Sequence, residues 1–199
     1  MAYSDFDLKR AVTELGLSRG PDVNLFPDVP PVEPSQYLRD WLAEFGAVAL
    51  SMGSEFGRRE SIIFPILAEA KRHTPPPVTI AQSVGFEVDK ARGLTGVCDY
   101  LITRSRETYY VEAPVAVVVE GKKEDPLSGL GQCAAELVAV RVFNEREGRS
   151  LPSLSGCVTN GQDWKFLRLE GTVLTIDPAM YSLYQLPIIL GILVRIASV

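Results

Sequence analysis

The stretch VAVVVEGKKED, residues Val115–Asp125, decides the fold of this chain. Its first five residues are all apolar and lack the alternation of a strand with one face in solvent. This pattern is typical of a strand in the middle of a sheet, buried on both faces. One carboxylate and two ammonium groups follow directly. The sequence therefore predicts polar chemistry at the end of a buried strand.

Glu120 and Lys122 are two residues apart in this extended stretch, so their side chains are expected on the same side. A simple ion pair is one interpretation, and an exposed pair of this kind contributes little stability. Asp99 favours a second interpretation. It lies in TGVCDYLI, an apolar run predicted as a neighbouring strand, and a buried aspartate is unfavourable unless something compensates its charge.

A divalent cation is the compensation that this pattern favours. Antiparallel strands can bring Asp99 beside Glu120, and two close carboxylates repel each other unless a cation lies between them. Mg²⁺ prefers oxygen ligands, and Asp99, Glu120 and the backbone carbonyl of Gly121 supply three. Lys122 is then placed to orient an attacking water or to stabilise charge on a phosphate. A role as a base would require a lowered pKa for Lys122.

The rest of the chain is predicted to form helices and strands around this segment. A short amphipathic helix is expected over residues 4–18, followed by a Pro-rich connector and a second helix capped by Ser35. We expect the second helix to bury one stripe of side chains, namely Tyr37, Leu38, Trp41, Leu42 and Phe45.

A stronger helix is predicted within residues 51–73, ending before a run of prolines. After this helix the sequence predicts three strands and a helix that begins at Asp125 or Ser128. Two or three more strands and a final helix at about 178–196 complete the chain. This order predicts an α/β fold with a mixed sheet flanked by helices. We expect one domain over 1–199, made of a helical and Pro-rich extension (1–50), a core (51–176) and a C-terminal helix (177–199).

Composition limits the classes of function. The chain has 199 residues, 46% hydrophobic and 23% charged, which predicts one folded domain with a core. With a net charge of −5, a nucleic-acid partner would need a local basic patch. Three widely spaced cysteines predict neither a disulfide framework nor a zinc site, and favour a cytoplasmic location. The apolar C-terminal segment is too short to span a membrane, so no membrane partner is expected.

The spacing of Asp99, twenty residues and then EGK resembles the catalytic signature of the PD-(D/E)xK nuclease superfamily. Three further segments resemble the nuclease domain of type I restriction motor subunits. SEFGRRESIIFPIL is similar to its first helix, GQCAAELVAV to the helix after the E-x-K strand, and GCVTNGQDWKFLRL to the strand pair that follows. The four segments occur in that order over residues 54–169.

This resemblance implies a restriction-endonuclease-like mixed β-sheet flanked by helices, and a nuclease that hydrolyses phosphodiester bonds, with DNA as the expected substrate and Mg²⁺ or Mn²⁺ as cofactor. It implies Asp99, Glu120 and Gly121 as metal ligands and Lys122 as the residue that acts on the water. It also implies Glu55 as an additional acid. The alternative is that Glu55 belongs to a charged helix face that lies in solvent, which is typical of such a charged run. Gln132 is implied to reach Lys122 or a phosphate, unless it merely faces solvent.

The chain also departs from the family pattern. Cys98 stands where the family's name has a proline, and Phe64 stands where relatives have an aspartate before Pro65. No helicase, methylase or recognition segment is recognised in the sequence, which leaves the substrate open. A homodimer is a further expectation, with the apolar C-terminal helix as its interface.

Two other functions remain open from the sequence. The first is a nuclease-like fold that no longer cuts and acts as an interaction or nucleic-acid-binding module, which the negative net charge motivates. The second is an α/β ligand-binding domain in which the charges are coincidental. That reading predicts that Asp99, Glu120 and Lys122 do not cluster in space.

Overall fold

The computed structural model describes residues 1–198 and contains one eight-stranded mixed sheet with helices on both faces. The expectation of an α/β fold with a mixed, helix-flanked sheet is confirmed. Seven strands follow the order β1-β7-β6-β5-β4-β3-β2, and β8 pairs with β6. The strands are β1 (Ser18–Arg19), β2 (Thr79–Gly85), β3 (Val97–Thr103), β4 (Val115–Gly121), β5 (Leu154–Thr159), β6 (Asp163–Glu170), β7 (Val173–Ile176) and β8 (Tyr181–Ser182).

Strand β4 occupies the interior of the sheet, as its unbroken apolar run predicts. All seven of its residues are buried. It pairs antiparallel with β3 and parallel with β5. The parallel pair requires a crossover connection, which is supplied by the long helix that follows β4.

Residues 1–198 contain seven α-helices. They are α1 (Leu8–Glu14), α2 (Gln36–Trp41), α3 (Ala47–Met52), α4 (Glu55–Arg58), α5 (Phe64–His73), α6 (Leu130–Arg146) and α7 (Leu186–Ala197). One apolar core lies between the sheet and helices α1 and α6, and the other between the sheet and helices α5 and α7. Side chains of the N-terminal extension, such as Phe6 and Leu38, are buried in these cores.

Several predicted boundaries were wrong. The helix expected over residues 4–18 is a single 3₁₀ turn at Tyr3–Asp5 followed by α1. The final helix begins at Leu186 rather than at 178, because β8 and a turn capped by Ser182 precede it. The segment TYYVEAPVAVVVEGKK predicts a strand from its start, but Tyr109 and Tyr110 lie exposed in the loop that ends at Pro114, and β4 begins at Val115.

The predicted buried stripe of the second helix was also wrong. Ser35 does cap α2, since its Oγ accepts a hydrogen bond from the backbone N–H of Leu38 at 3.2 Å. Of the five stripe residues, however, only Leu38 is buried, whereas Tyr37 is 60% exposed. A turn of π-helix at Leu42–Gly46 follows α2. It adds a residue to that turn and so shifts the side chains beyond it off the predicted face.

The apolar C-terminal helix α7 is part of the core. It packs against α5 and β4, and Arg195 is the exposed residue within its span. Its apolar surface is therefore used inside the fold, and the expected homodimer stays a prediction. Within residues 1–198, no helix combines the length and the apolarity that crossing a membrane requires.

Candidate functional site

The ends of β3 and β4 bring the two predicted acids together. Tyr100 pairs with Val119 across the antiparallel ladder, so the next residue of each strand, Asp99 and Glu120, follows at the same end. The backbone N–H of Gly121 donates a hydrogen bond to Asp99 Oδ2 at 2.8 Å. Asp99 is 7% exposed and Glu120 is 4% exposed. Both carboxyl groups are therefore held away from bulk water.

Lys122 is the cation closest to Glu120. Its Nζ lies 2.8 Å from Glu120 Oε1, where the two side chains form an ion pair. Burial lowers the pKa of Lys122, but the charge of Glu120 and the hydrogen bond to it outweigh this effect and raise the pKa. Lys122 is thus held as an ammonium, which favours a role in orienting water or stabilising charge over a role as a base.

Glu120 is itself strongly perturbed. Burial, together with the charge of Asp99, raises the pKa of Glu120 to about 7, although Lys122 acts in the opposite direction. The charge of Glu55 contributes to the same increase. The acids predicted for this site are therefore close enough to influence one another's ionisation. A carboxyl group with this pKa changes its charge near neutral pH.

Gln132 continues the polar cluster into α6. Its Oε1 accepts a hydrogen bond from Lys122 Nζ at 2.8 Å, and its Nε2 donates one to Glu136 Oε1 at 3.0 Å. The contact with Lys122 is the one that the family resemblance implies. The two bonds also fix which end of the amide faces the lysine, because only the oxygen can accept.

Glu136 is a member of the cluster that sequence reasoning missed. It is fully buried, and burial together with the charge of Glu120 raises its pKa well above the ordinary value. The available signal was the segment CAAELVAV, in which one carboxylate interrupts an apolar run. The same signal identified Asp99. For Glu136 this signal is weaker, because a glutamate in a predicted helix usually lies on a solvated face.

Arg59 approaches the site from the opposite layer of the fold. Its Nη1 lies 2.7 Å from Asp99 Oδ1, and its Nη2 donates a hydrogen bond to Ser83 Oγ at 2.5 Å. The guanidinium also lies 5.6 Å from the ring centroid of Tyr100. Arg59 opens a turn of π-helix, Arg59–Ile63, between α4 and α5. Such turns occur frequently at functional sites.

Glu55 lies at the edge of the cluster. It is the first residue of α4, exposed to solvent, and Ser54 caps the helix by accepting a hydrogen bond from Gly57 N at 3.2 Å. Its charge raises the pKa of Glu120 and that of Lys122, which places it near both. The structure thus brings Glu55 within electrostatic reach of the site, without a hydrogen bond to it.

The donor chemistry of this cluster fits a divalent cation. Glu120 Oε2 is buried and has no hydrogen-bond partner within residues 1–198, so an oxygen ligand is free. In the same part of the chain, no three His, Cys, Asp or Glu side chains stand close enough together to hold a metal ion. A cation here would take Asp99, Glu120, the carbonyl of Gly121 and water, a combination that suits Mg²⁺.

No protein-family model, curated protein or solved structure matches this chain. The fold and the geometry of the cluster at Asp99 and Glu120 are therefore the basis for assigning a function.

Proposed function

We propose that this protein is a divalent-metal-dependent nuclease that hydrolyses phosphodiester bonds, with DNA as the expected substrate. The observation that carries the proposal is the convergence of Asp99, Glu120 and Lys122 at the ends of adjacent strands. This arrangement is what the D-x20-E-x-K spacing implies for a restriction-endonuclease-like site. It is also the opposite of what a ligand-binding domain with coincidental charges would show.

The residues of the cluster would divide the work as follows. Asp99, Glu120 and the carbonyl of Gly121 hold Mg²⁺ or Mn²⁺, and the bound cation supplies Lewis acidity at the phosphate and activates water. Lys122 donates hydrogen bonds to the attacking water or to a phosphate oxygen, where negative charge develops as the P–O bond breaks. Gln132 positions Lys122 through their 2.8 Å hydrogen bond.

The site has a built-in means of keeping Lys122 oriented. Its ammonium is shared between Glu120 Oε1 and Gln132 Oε1, and Glu136 accepts from the other end of the Gln132 amide. Three fixed contacts reduce the number of conformations of a long side chain. Pre-organised donors of this kind stabilise developing charge without reorganising during the reaction.

DNA cleavage tests the proposal directly. Supercoiled and single-stranded DNA are incubated with the protein and Mg²⁺ or Mn²⁺, and wild type is compared with Lys122→Ala. We expect cleavage by wild type and a loss of about 100-fold or more in the variant. Lys90→Ala is the matched control, since Lys90 forms an exposed pair with Glu87 at 2.9 Å. Absence of cleavage, or equal rates for wild type and Lys122→Ala, contradicts the proposal.

The second candidate is a protein with the same fold that does not cleave nucleic acid and acts as an interaction or nucleic-acid-binding module. The observation that favours it is that the charge of Asp99 is already compensated without a metal, because its two oxygens contact Arg59 and the backbone N–H of Gly121. Calorimetric titration with Mn²⁺ separates the two candidates. A nuclease site should bind Mn²⁺ and lose binding in Asp99→Asn, whereas a silent site should show no binding in either protein.

A further inference from the structure

We infer that the guanidinium of Arg59 takes the place of a divalent cation at Asp99, and that a metal ion binds only by displacing it. The inference rests on the metal site of the proposed function and concerns how that site is regulated. It assigns to Arg59 the role of a competitor for a metal ligand, which differs from a role in binding or catalysis.

Both oxygens of Asp99 already have donors. Oδ1 lies 2.7 Å from Arg59 Nη1, and Oδ2 accepts from Gly121 N at 2.8 Å. A buried carboxylate needs a compensating charge, and Arg59 supplies it by direct contact, whereas Lys122 contacts Glu120. A divalent cation at Asp99 Oδ1 would share that oxygen with the guanidinium of Arg59, and two positive charges this close repel each other.

Neighbouring residues hold the Arg59 side chain in this position. Ser83 accepts a hydrogen bond from Nη2 and has a positive φ of 48°, a backbone conformation that is uncommon for residues other than glycine. The ring of Tyr100 lies beneath the guanidinium. Gly121 leaves the necessary space, because a Cβ there would lie 3.0 Å from Arg59 Cγ. The Ser83 hydroxyl, the ring of Tyr100 and the missing side chain at Gly121 thus combine to hold one cation over Asp99.

Arg59 borders solvent. Its side chain is 14% exposed and its partner Ser83 lies at the surface, so the contact that would be broken lies at the edge of the fold. The competition is between a charge-assisted hydrogen bond and metal coordination at a single carboxylate oxygen. Removing the guanidinium should therefore strengthen metal binding, which is the opposite of the result for a ligand or a phosphate-binding residue.

Mn²⁺ affinity of the metal-free full chain measures this competition, with free Mn²⁺ followed by electron paramagnetic resonance. We expect Arg59→Met to bind Mn²⁺ about tenfold or more tightly than wild type. Arg58→Met is the matched control, since it removes one charge at the adjacent position. The Arg58 guanidinium donates to the carbonyls of Asn160 and Leu50, so its loss should leave Mn²⁺ affinity near that of wild type.

The outcomes separate this inference from the nuclease proposal. Unchanged or weaker Mn²⁺ binding by Arg59→Met overturns the inference alone if wild type binds the ion. No binding by either protein overturns both. Tighter binding by Arg59→Met without DNA cleavage by either supports the inference and contradicts the nuclease function.

A second variant keeps the test valid if Arg59→Met does not fold, as judged by near-UV circular dichroism. Ser83→Ala removes an acceptor of Arg59 at an exposed position and leaves Asp99 untouched. It should increase Mn²⁺ affinity in the same direction, by less. No increase in folded Ser83→Ala then overturns the inference.

Discussion

The backbone amide of Gly121 donates a 2.8 Å hydrogen bond to Asp99 Oδ2 and thereby joins the ends of β3 and β4. The bond fixes a buried carboxylate beside the strand that carries Glu120. It also requires close approach, since the Asp99 oxygen and the Arg59 side chain lie where a Cβ at Gly121 would be. The geometry of the candidate site therefore depends on the absence of a side chain at one position.

Gly121→Ala should destabilise the protein. Its Cβ would lie 3.0 Å from Arg59 Cγ and 3.1 Å from Asp99 Oδ2, so the buried ion pair must shift. We expect a loss of about 1–3 kcal/mol in the free energy of unfolding, measured by urea denaturation. Gly85→Ala is the control, because its Cβ would meet no atom within 4 Å. Equal effects of the two substitutions would show that space at Gly121 is not limiting.

Gln132→Leu should weaken both the stability and the proposed activity. The change removes one acceptor of Lys122 and the donor to Glu136, and it leaves the fully buried Glu136 without that partner. We expect a loss of about 1–3 kcal/mol in the free energy of unfolding and a decrease in DNA cleavage. Glu136→Gln keeps an acceptor for Gln132 and should retain most of the stability. The interpretation fails if Glu136→Gln is the more damaging change.

The metal-free protein should become more stable as the pH falls from about 7 to about 5. Burial, together with the charge of Asp99, raises the pKa of Glu120 from the ordinary value of 4.5 to about 7. The folded protein then keeps a proton that the unfolded chain has lost. The stability due to this proton is fully present below the unfolded pKa and is lost as the pH rises through the folded pKa.

Urea denaturation at several pH values measures this dependence. Glu120→Gln should reduce the slope by up to about 1.4 kcal/mol per pH unit, whereas Glu124→Gln, at an exposed position, should leave it unchanged. Glu136, whose pKa burial also raises, should contribute in the same direction. A slope that is the same in wild type and Glu120→Gln would show that Glu120 does not hold the proton.

The three thiols should react only when the protein unfolds. Cys98, Cys133 and Cys157 are free and buried, and burial raises the pKa of each. Both effects suppress the thiolate that attacks a disulfide reagent. A chromogenic disulfide reagent should detect no rapid reaction in native protein and three thiols in denaturant. Fast reaction of any thiol in native protein would contradict the described burial.

Part of the candidate site could be predicted from the sequence, namely the residues whose positions follow from the strands that carry them. The positions of Asp99, Glu120 and Lys122 follow from two apolar strands that must pair, and from the two-residue period of an extended chain. The contact of Gln132 with Lys122 was expected only from the resemblance of its segment to the helix that follows the E-x-K strand in nucleases. Arg59 lies in the segment that resembles the first nuclease helix, but the sequence predicts no contact for it, and Glu136 was missed altogether. Their contacts join segments separated by many residues, so no local pattern reveals them.

The helical predictions failed for a related reason. Two turns of π-helix, at Leu42–Gly46 and Arg59–Ile63, change the direction in which later side chains point. A 3.6-residue period cannot anticipate them, because a π turn contains more residues than a regular α-helical turn. Phe45, which lies within the first of these turns, is exposed rather than part of the predicted buried stripe.

Local sequence is sufficient to predict the central buried strand, the mixed α/β fold and the pairing of Glu120 with Lys122, because apolar runs, their periodicity and an i, i+2 spacing are properties of neighbouring residues. The cation that compensates Asp99 follows from long-range packing alone. Arg59 begins a turn of π-helix and reaches Asp99 from the helical layer on the opposite face of the sheet. That contact joins segments far apart in the chain, so no local pattern encodes it.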